Sequence, residues 1–434
     1  MIKKIAFPLL LSLIVLSLAG CAAGGTPVVG TSVPSSMPPT QAAPPTNTPL
    51  PPTETPTVPP PTATATPTPE NGIQHFPSGQ DFTVTSIHMI DANTGWAIGG
   101  LGSIVGDHVL FTNDGASTWT DVTPPESEAV GGAHKAATGF FQDARTAWVT
   151  YAIGGGTPVP AQPVVWHTSD GGATWTASQP LDVTGLSEIY VPTTLQFVAG
   201  QNGWLLAHVG AGMNHDYVVL YRSVDGGASW SRLLDPYNDG GIQSCSKNAL
   251  LFTDATHGWL TGDCGGVMAG ALLFKTTDAG STWQPVTLPA PASIPTLFTD
   301  MNIACGTYDP FFFSNDQGHL GVRCTNYTVT PNTYNYYVYA TQDGGSTWTS
   351  STYPGGSLYF FSADTGWALS PKIQHTTDGG ATWKAISDVT WSAQVDFVSE
   401  QIGWAVARAN TEQAFAKTND GGATWTELVP VVGP

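Results

Sequence analysis

Four carboxylic acids stand in the least regular stretches of this chain: Asp235, Asp239, Asp263 and Asp309. Two acids facing one another across about 5 to 9 Å could hydrolyse a glycosidic bond, one as proton donor and the other as base or nucleophile. Linear order does not say that any two of the four converge. A second set of polar residues recurs by position. Four residues after a repeated Gly-Trp aromatic stand Gly100, Ala152, His208, Asp263, Arg323, Pro371 and Arg408. Within that column His208, Asp263, Arg323 and Arg408 can ring a common mouth and hold an anionic or hydrogen-bonding ligand. Equally, they can be solvated strand ends, with Asp263 and Arg323 paired across neighbouring units. Tyr308, Tyr327, Tyr334 and Trp391 add flat rings suited to stacking on sugar or peptide, or to packing under their own loops. No phosphate-binding loop, nucleophile elbow, His-Glu-x-x-His or EF-hand pattern occurs, so neither a cofactor nor a metal site is expected.

The elements that must position these residues are legible as a repeat. "TSDGGATW" at Thr168 has six near-copies: "TNDGASTW" at Thr112, "SVDGGASW" at Ser223, "TTDAGSTW" at Thr276, "TQDGGSTW" at Thr341, "TTDGGATW" at Thr376 and "TNDGGATW" at Thr418. Each sits between short β-prone runs, which is a hairpin pattern. The aspartates, Asp114, Asp170, Asp225, Asp278, Asp343, Asp378 and Asp420, can accept N–H groups of their own turns, while glycine supplies the positive φ that a tight turn needs. Acids engaged in this way are structural and make poor general acids or bases. His167, Arg222, Lys275, His375 and Lys417 precede five of the copies and form a repeated polar strand edge. Upstream of every copy lies a second aromatic position, Trp96, Trp148, Trp204, Trp259, His319, Trp367 or Trp404. Seven residues before it stands Met89, Phe141, Phe197, Phe252, Phe312, Phe360 or Phe397.

Each unit therefore holds four strands, and units of roughly fifty residues match the blades of a propeller. The expected fold is all-β, a seven-bladed β-propeller of four-stranded antiparallel blades at about 80–125, 134–180, 190–236, 245–290, 305–354, 356–388 and 391–430. Strand alternation puts the Gly-Trp turns and the aspartate turns on one face. The variable loops, including "DPYNDGGIQS" and "CTNYTVTPNTYN", fall on the other, where binding is expected around blades 4 and 5. How the ring closes is left open; "GIQHF" near Gln74 could add a strand.

The octapeptide resembles the Asp box of sialidase-type (BNR) propellers, and its pairing with Gly-Trp-Ala resembles the photosystem II stability and assembly factor family, over nearly all of residues 80–434. That resemblance implies support for assembly or stability of membrane complexes. Ala116 in place of the box glycine and His319 in place of tryptophan depart from the pattern. Sialidase activity is not expected. It needs three convergent arginines, and of Arg145, Arg222, Arg232, Arg323 and Arg408 just two fall on the loop face.

Cys245 and Cys264 are 19 apart, as are Cys305 and Cys324, at matching places in their repeats. Folding the first two strands of a blade as a hairpin sets each pair opposite, so the expected disulfides are Cys245–Cys264 and Cys305–Cys324. A four-thiolate metal site would lack the usual close Cys spacing.

At the other end, Lys3 and Lys4 precede an apolar run too short to span a membrane, read as a signal peptide over residues 1–20. It ends on "LAGC", which resembles the lipobox of bacterial lipoproteins and makes Cys21 the lipidated residue. Residues 21–73 are dominated by Pro, Thr, Ala and Gly, a polyproline-like tether, and residues 74–434 form the propeller. Net charge is −19 with 13 Lys and Arg, which disfavours nucleic acid because phosphate binding needs cation density. The expectation is an exported, membrane-anchored monomer that touches membrane through its lipid alone. It would act as a non-catalytic binding or scaffold module for an extracellular or membrane protein, or a glycan, with a carboxylate-based glycoside hydrolase as the alternative.

Overall fold

The computed structural model describes residues 72–102, 106–126, 135–153, 162–186, 189–212, 215–240, 242, 245–265, 270–369, 372–389, 391–409 and 412–434, without the side chains of Asp309 and Glu412. The expected signal peptide, Cys21 and all but the last two residues of the expected tether lie outside these, as does Pro371.

Seven four-stranded antiparallel sheets, each with its strands in chain order, make the seven expected blades. They run over residues 83–121, 137–177, 191–234, 246–285, 303–352, 357–387 and 392–428. Blade 3 displays the logic. Its first strand, Val191–Val198, alternates in burial because one side faces the central channel. The second, Asn202–Gly212, is buried on both sides through its apolar half, as a strand sandwiched between neighbouring sheets must be. The fourth, Ser231–Leu234, is short, running from exposed Ser231 to buried Leu234.

Each aspartate turn is closed by the side chains its octapeptide supplies. In blade 2 the Thr168 hydroxyl donates to Asp170 Oδ1 at 2.8 Å and accepts from Gly172 N at 3.0 Å. Asp170 also accepts from Thr174 N at 2.9 Å and from the Thr174 hydroxyl at 2.6 Å. Positions four and five of the octapeptide are left-handed in all seven copies, including Ala116 (φ 72°) and Ala279 (φ 63°).

The repeated tryptophans rivet one blade to the next. Trp204 stacks on Phe252 of the next blade at 3.8 Å between ring centroids and 8° between planes, and its Nε1 donates to Ala279 O in that blade's turn at 2.9 Å. Trp148 and Trp367 repeat both contacts. His319 keeps the function of the tryptophan it replaces: its ring stacks on Phe360 at 4.3 Å and Nε2 donates to Ala363 O at 2.7 Å.

Ring closure comes from the C-terminal residues, which thread into blade 1. Phe82 N donates to Pro430 O at 3.1 Å and Gly79 N to Val432 O at 2.8 Å. On the other side Trp119 N donates to Val431 O and Gly433 N to Trp119 O. The "GIQHF" stretch forms no strand. Phe76 instead stacks on His108 at 3.7 Å and donates its N–H to Asp121, docking the entry to the propeller on the loop face. Cys245–Cys264 and Cys305–Cys324 are both bonded, with Cα atoms 4.8 and 4.0 Å apart. The bonds fit an oxidising, extracytoplasmic compartment. Among the described residues no helix is long and apolar enough to cross a membrane.

Candidate functional site: a cleft over blades 5 to 7

Strand length decides where the loop face is high and where it is low. In blade 5 the second strand, Gly318–Asn326, and the third, Thr333–Thr341, each run nine residues. Their counterparts in blade 6, Gly366–Leu369 and Ile373–Thr376, run four. The blade 5 hairpin therefore continues five residues beyond its neighbour, on the order of 16 Å of strand, and blade 6 is the floor beside it.

Two adjoining cavities occupy that step. One, of about 330 Å³, is lined by Tyr308, Arg323, Tyr336 and Tyr353 of the blade 5 wall and by Ser357 and Leu358 of the blade 6 floor. The other, of about 600 Å³, lies along the channel against the first strands of blades 6, 7 and 1, with Gln394, Asp396, His88 and Arg408 among its lining. Phe311, Ser357, Leu358, Leu369 and Ser392 border both, so the cleft is continuous. Both volumes fall in the range of ligand pockets.

The Arg323 guanidinium lies over the Tyr308 ring at 5.1 Å, a cation–π contact. Among the described residues neither Arg323 nor Arg408 has a carboxylate within ion-pair distance. The alternative pairing of Asp263 with Arg323 is thus not made. Burial raises the Tyr308 pKa, with Arg323 pulling it back and Asp263 adding to the rise. Burial likewise raises Tyr353. Both phenols are hydrogen-bonding groups and not nucleophiles at neutral pH. In the channel Asp396 accepts the Met89 N–H and lies 3.9 Å from His88. Burial raises its pKa, with His88 and the Met89 N–H opposing.

The expected site residues divide. Arg323 and Tyr308 share the outer cavity, and Arg408 lines the channel cavity. Tyr334 and Tyr327 are each 52% exposed and line neither cavity, although the Tyr334 ring stands 6.4 Å from Tyr336, which does. Trp391 packs edge-on against Trp425 at 5.4 Å within the core of blades 6 and 7.

His208 is bound elsewhere, its Nδ1 2.6 Å from Asp216. Asp216 also accepts Lys247 N at 2.9 Å, and buried Lys247 Nζ donates to Cys245 O. Burial brings the Lys247 pKa down to about 8, against the pull of Asp216 and Asp239. This cluster joins blades 3 and 4. Asp263 accepts Gly265 N at 2.7 Å. Asp235 accepts Tyr237 N and Asn238 N and pairs with Arg232 at 3.3 Å. The Asp309 side chain lies outside the described residues, and no group of three or more metal-ligating side chains occurs among those described.

Sequence reasoning missed Tyr336, Tyr353, Gln394, Asp396 and His88. A signal existed for three of them. His88 and Asp396 each precede the residue that closes a first strand, so period-two alternation turns them from the core toward the channel. Tyr336 is two residues from Tyr334 on the same strand face.

No protein-family model and no curated protein matches the chain. Solved structures resemble it in fold. YCF48 bound to D1 peptide is 16% identical over 77% of this chain and 93% of that one, with a TM-score of 0.48. YCF48 from Cyanidioschyzon merolae is 17% identical over 80% and 98%, at 0.45. The GH74 enzyme of Niastella koreensis is 14% identical over 82% and 64%, at 0.34.

Proposed function

We propose that the protein is an exported, lipid-anchored propeller that holds a protein or glycan partner in the cleft over blades 5 to 7 without transforming it. The carrying observation is the cleft itself. Two guanidiniums that meet no carboxylate among the described residues and a wall of tyrosines line one continuous depression, which is recognition chemistry. The "LAGC" stretch supports Cys21 as the lipid attachment, and the Pro/Thr-rich residues after it would hold the propeller off the membrane.

A carboxylate-based glycoside hydrolase is the second reading. Asp396 favours it, because a carboxyl group whose pKa is raised beside the channel could donate a proton. Affinity capture with the full-length protein, run beside a polysaccharide hydrolysis panel, separates the two. Binding is expected with no turnover. Turnover abolished by Asp396→Asn, Asp263→Asn or Asp309→Asn would establish the hydrolase instead. Cys21→Ser is expected to move the protein from the membrane to the soluble fraction; retention at the membrane would refute the anchor.

A further inference from the structure

The cleft has a chemistry more specific than a generic partner surface. Of the chain's five arginines, Arg232 alone meets a carboxylate among the described residues. Arg232 meets both Asp182 and Asp235. Arg145, Arg222, Arg323 and Arg408 meet none among the described residues, and of these four Arg323 and Arg408 are the two that line the adjoining cavities. A guanidinium fork fits a planar carboxylate in two parallel hydrogen bonds, and the Tyr308 ring holds the Arg323 fork in place from one side. Around it the wall is aromatic: Tyr336 and Tyr353 lie 5.4 Å apart at 63° and line the same cavity. Tyrosine presents a rigid apolar face with a hydroxyl at its tip, and exposed Ser357 on the floor adds a further hydroxyl.

We infer that the cleft binds a polysaccharide built from uronate sugars, with Arg323 holding one carboxylate in the outer cavity and Arg408 a second toward the channel. This deepens the binding reading and rests on it. A uronate ring carries what the site complements: a C–H face for the tyrosines, hydroxyls for Ser357 and the phenols, and one planar carboxylate for the arginine. A polymer repeats that set, as the two adjoining cavities repeat the guanidinium. An acidic peptide would satisfy the arginines but would leave the tyrosine faces without flat rings to stack on.

Binding of the full-length protein to polygalacturonate and to alginate, measured by calorimetry, tests this. The comparison ligands are carboxyl-reduced polygalacturonate, dextran sulfate, amylose and polyglutamate. The expected result is binding to the uronate polymers, weakened at least tenfold by reduction of the carboxyls and by Arg323→Gln, since a charge-assisted bond contributes about that much or more. Tyr336→Ala is expected to weaken it as well, whereas Arg145→Gln, on the opposite face, leaves it unchanged. Thermal unfolding checks that each variant is folded. Equal binding of amylose, equal binding of dextran sulfate, or an unaffected Arg323→Gln variant overturns the uronate assignment. Binding of polyglutamate alone also overturns it and makes the partner a protein, leaving the binding-module reading intact. If no uronate polymer binds, the assignment is wrong; if capture also retrieves nothing, the binding-module reading falls with it.

Discussion

At the scale of single residues, glycines at different positions of the repeated turn carry different burdens. Gly345 has a φ of 81°, and a Cβ there would come within 2.1 Å of Trp259 in the preceding blade. Gly226, at 71°, would meet nothing closer than Gly200 O at 3.5 Å. Gly226→Ala should therefore cost about 1–2 kcal/mol from left-handed backbone alone. Gly345→Ala should cost on the order of 3 kcal/mol or more, because it also wedges apart a rivet between blades. Chemical unfolding of both variants checks the ranking, and equal losses would refute it.

Titrating side chains make a second prediction at this scale. Burial lowers the pKa of His167, His319 and His375 from 6.5. The unfolded chain protonates them first, so their stabilising contribution is present above pH 6.5 and is lost as the pH falls below it. His108 acts in the opposite sense. Burial disfavours its charge, but Asp107, Asp121 and the Gln74 carbonyl outweigh this and raise its pKa. The turn aspartates follow at lower pH. At Asp170, Asp343, Asp378 and Asp420 their own turns' donors hold the pKa below 3.8; at Asp114, Asp225 and Asp278 burial opposes those donors and is outweighed. Their contribution is lost as the pH falls through and below 3.8. Between pH 7.5 and 5.5, His167, His319 and His375 thus oppose His108 and the raised Asp396, so His319→Gln should make the melting temperature fall less, or rise more, over that range than in the unaltered protein.

At the scale of elements, the hairpins of blades 4 and 5 depend on their cross-links. Each disulfide joins residues 19 apart, and closing a loop of that length removes about 3 kcal/mol of chain entropy from the unfolded state. The Cys305→Ser, Cys324→Ser double variant should lose about that much stability. Because Arg323 is adjacent to Cys324, uronate binding should weaken with it, whereas the corresponding change at Cys245 and Cys264 should spare the cleft. These hairpins were legible in the sequence for a physical reason. Turn chemistry and alternation act over a few residues, and the matched cysteine spacing follows from the hairpin register. The partnership of His208 with Asp216 and Lys247 was not legible, because Lys247 belongs to the next blade and no local rule brings it there.

At the scale of the molecule, a ring of repeats is as strong as its seam. The seam is the pairing of residues 430–433 with the segment before blade 1 and with Trp119, backed by the apolar contact of Val432, 7% exposed. Deleting residues 430–434 should lower the melting temperature and raise amide exchange first in Thr83–Met89 and Thr120–Asp121. Uniform exchange across all seven blades would mean that the seam is not the weak point. Gln394, bonded to Ile87 N and O at 3.2 and 3.1 Å, should keep the inner ring partly closed in the truncated form.

The amino-acid sequence by itself determined the blade: its four strands, its aspartate turn, its aromatic positions, the number of copies and the cysteine pairs. All of these follow from forces between residues near in the chain. Only the tertiary structure decided that the tryptophans rivet one blade to the next, that the C-terminal residues close the ring, and that a short blade beside a long one opens a cleft. Those outcomes depend on which distant segments become neighbours. His88 and Asp396, 308 positions apart in the chain, share one cavity because the ring brings its last blade against its first.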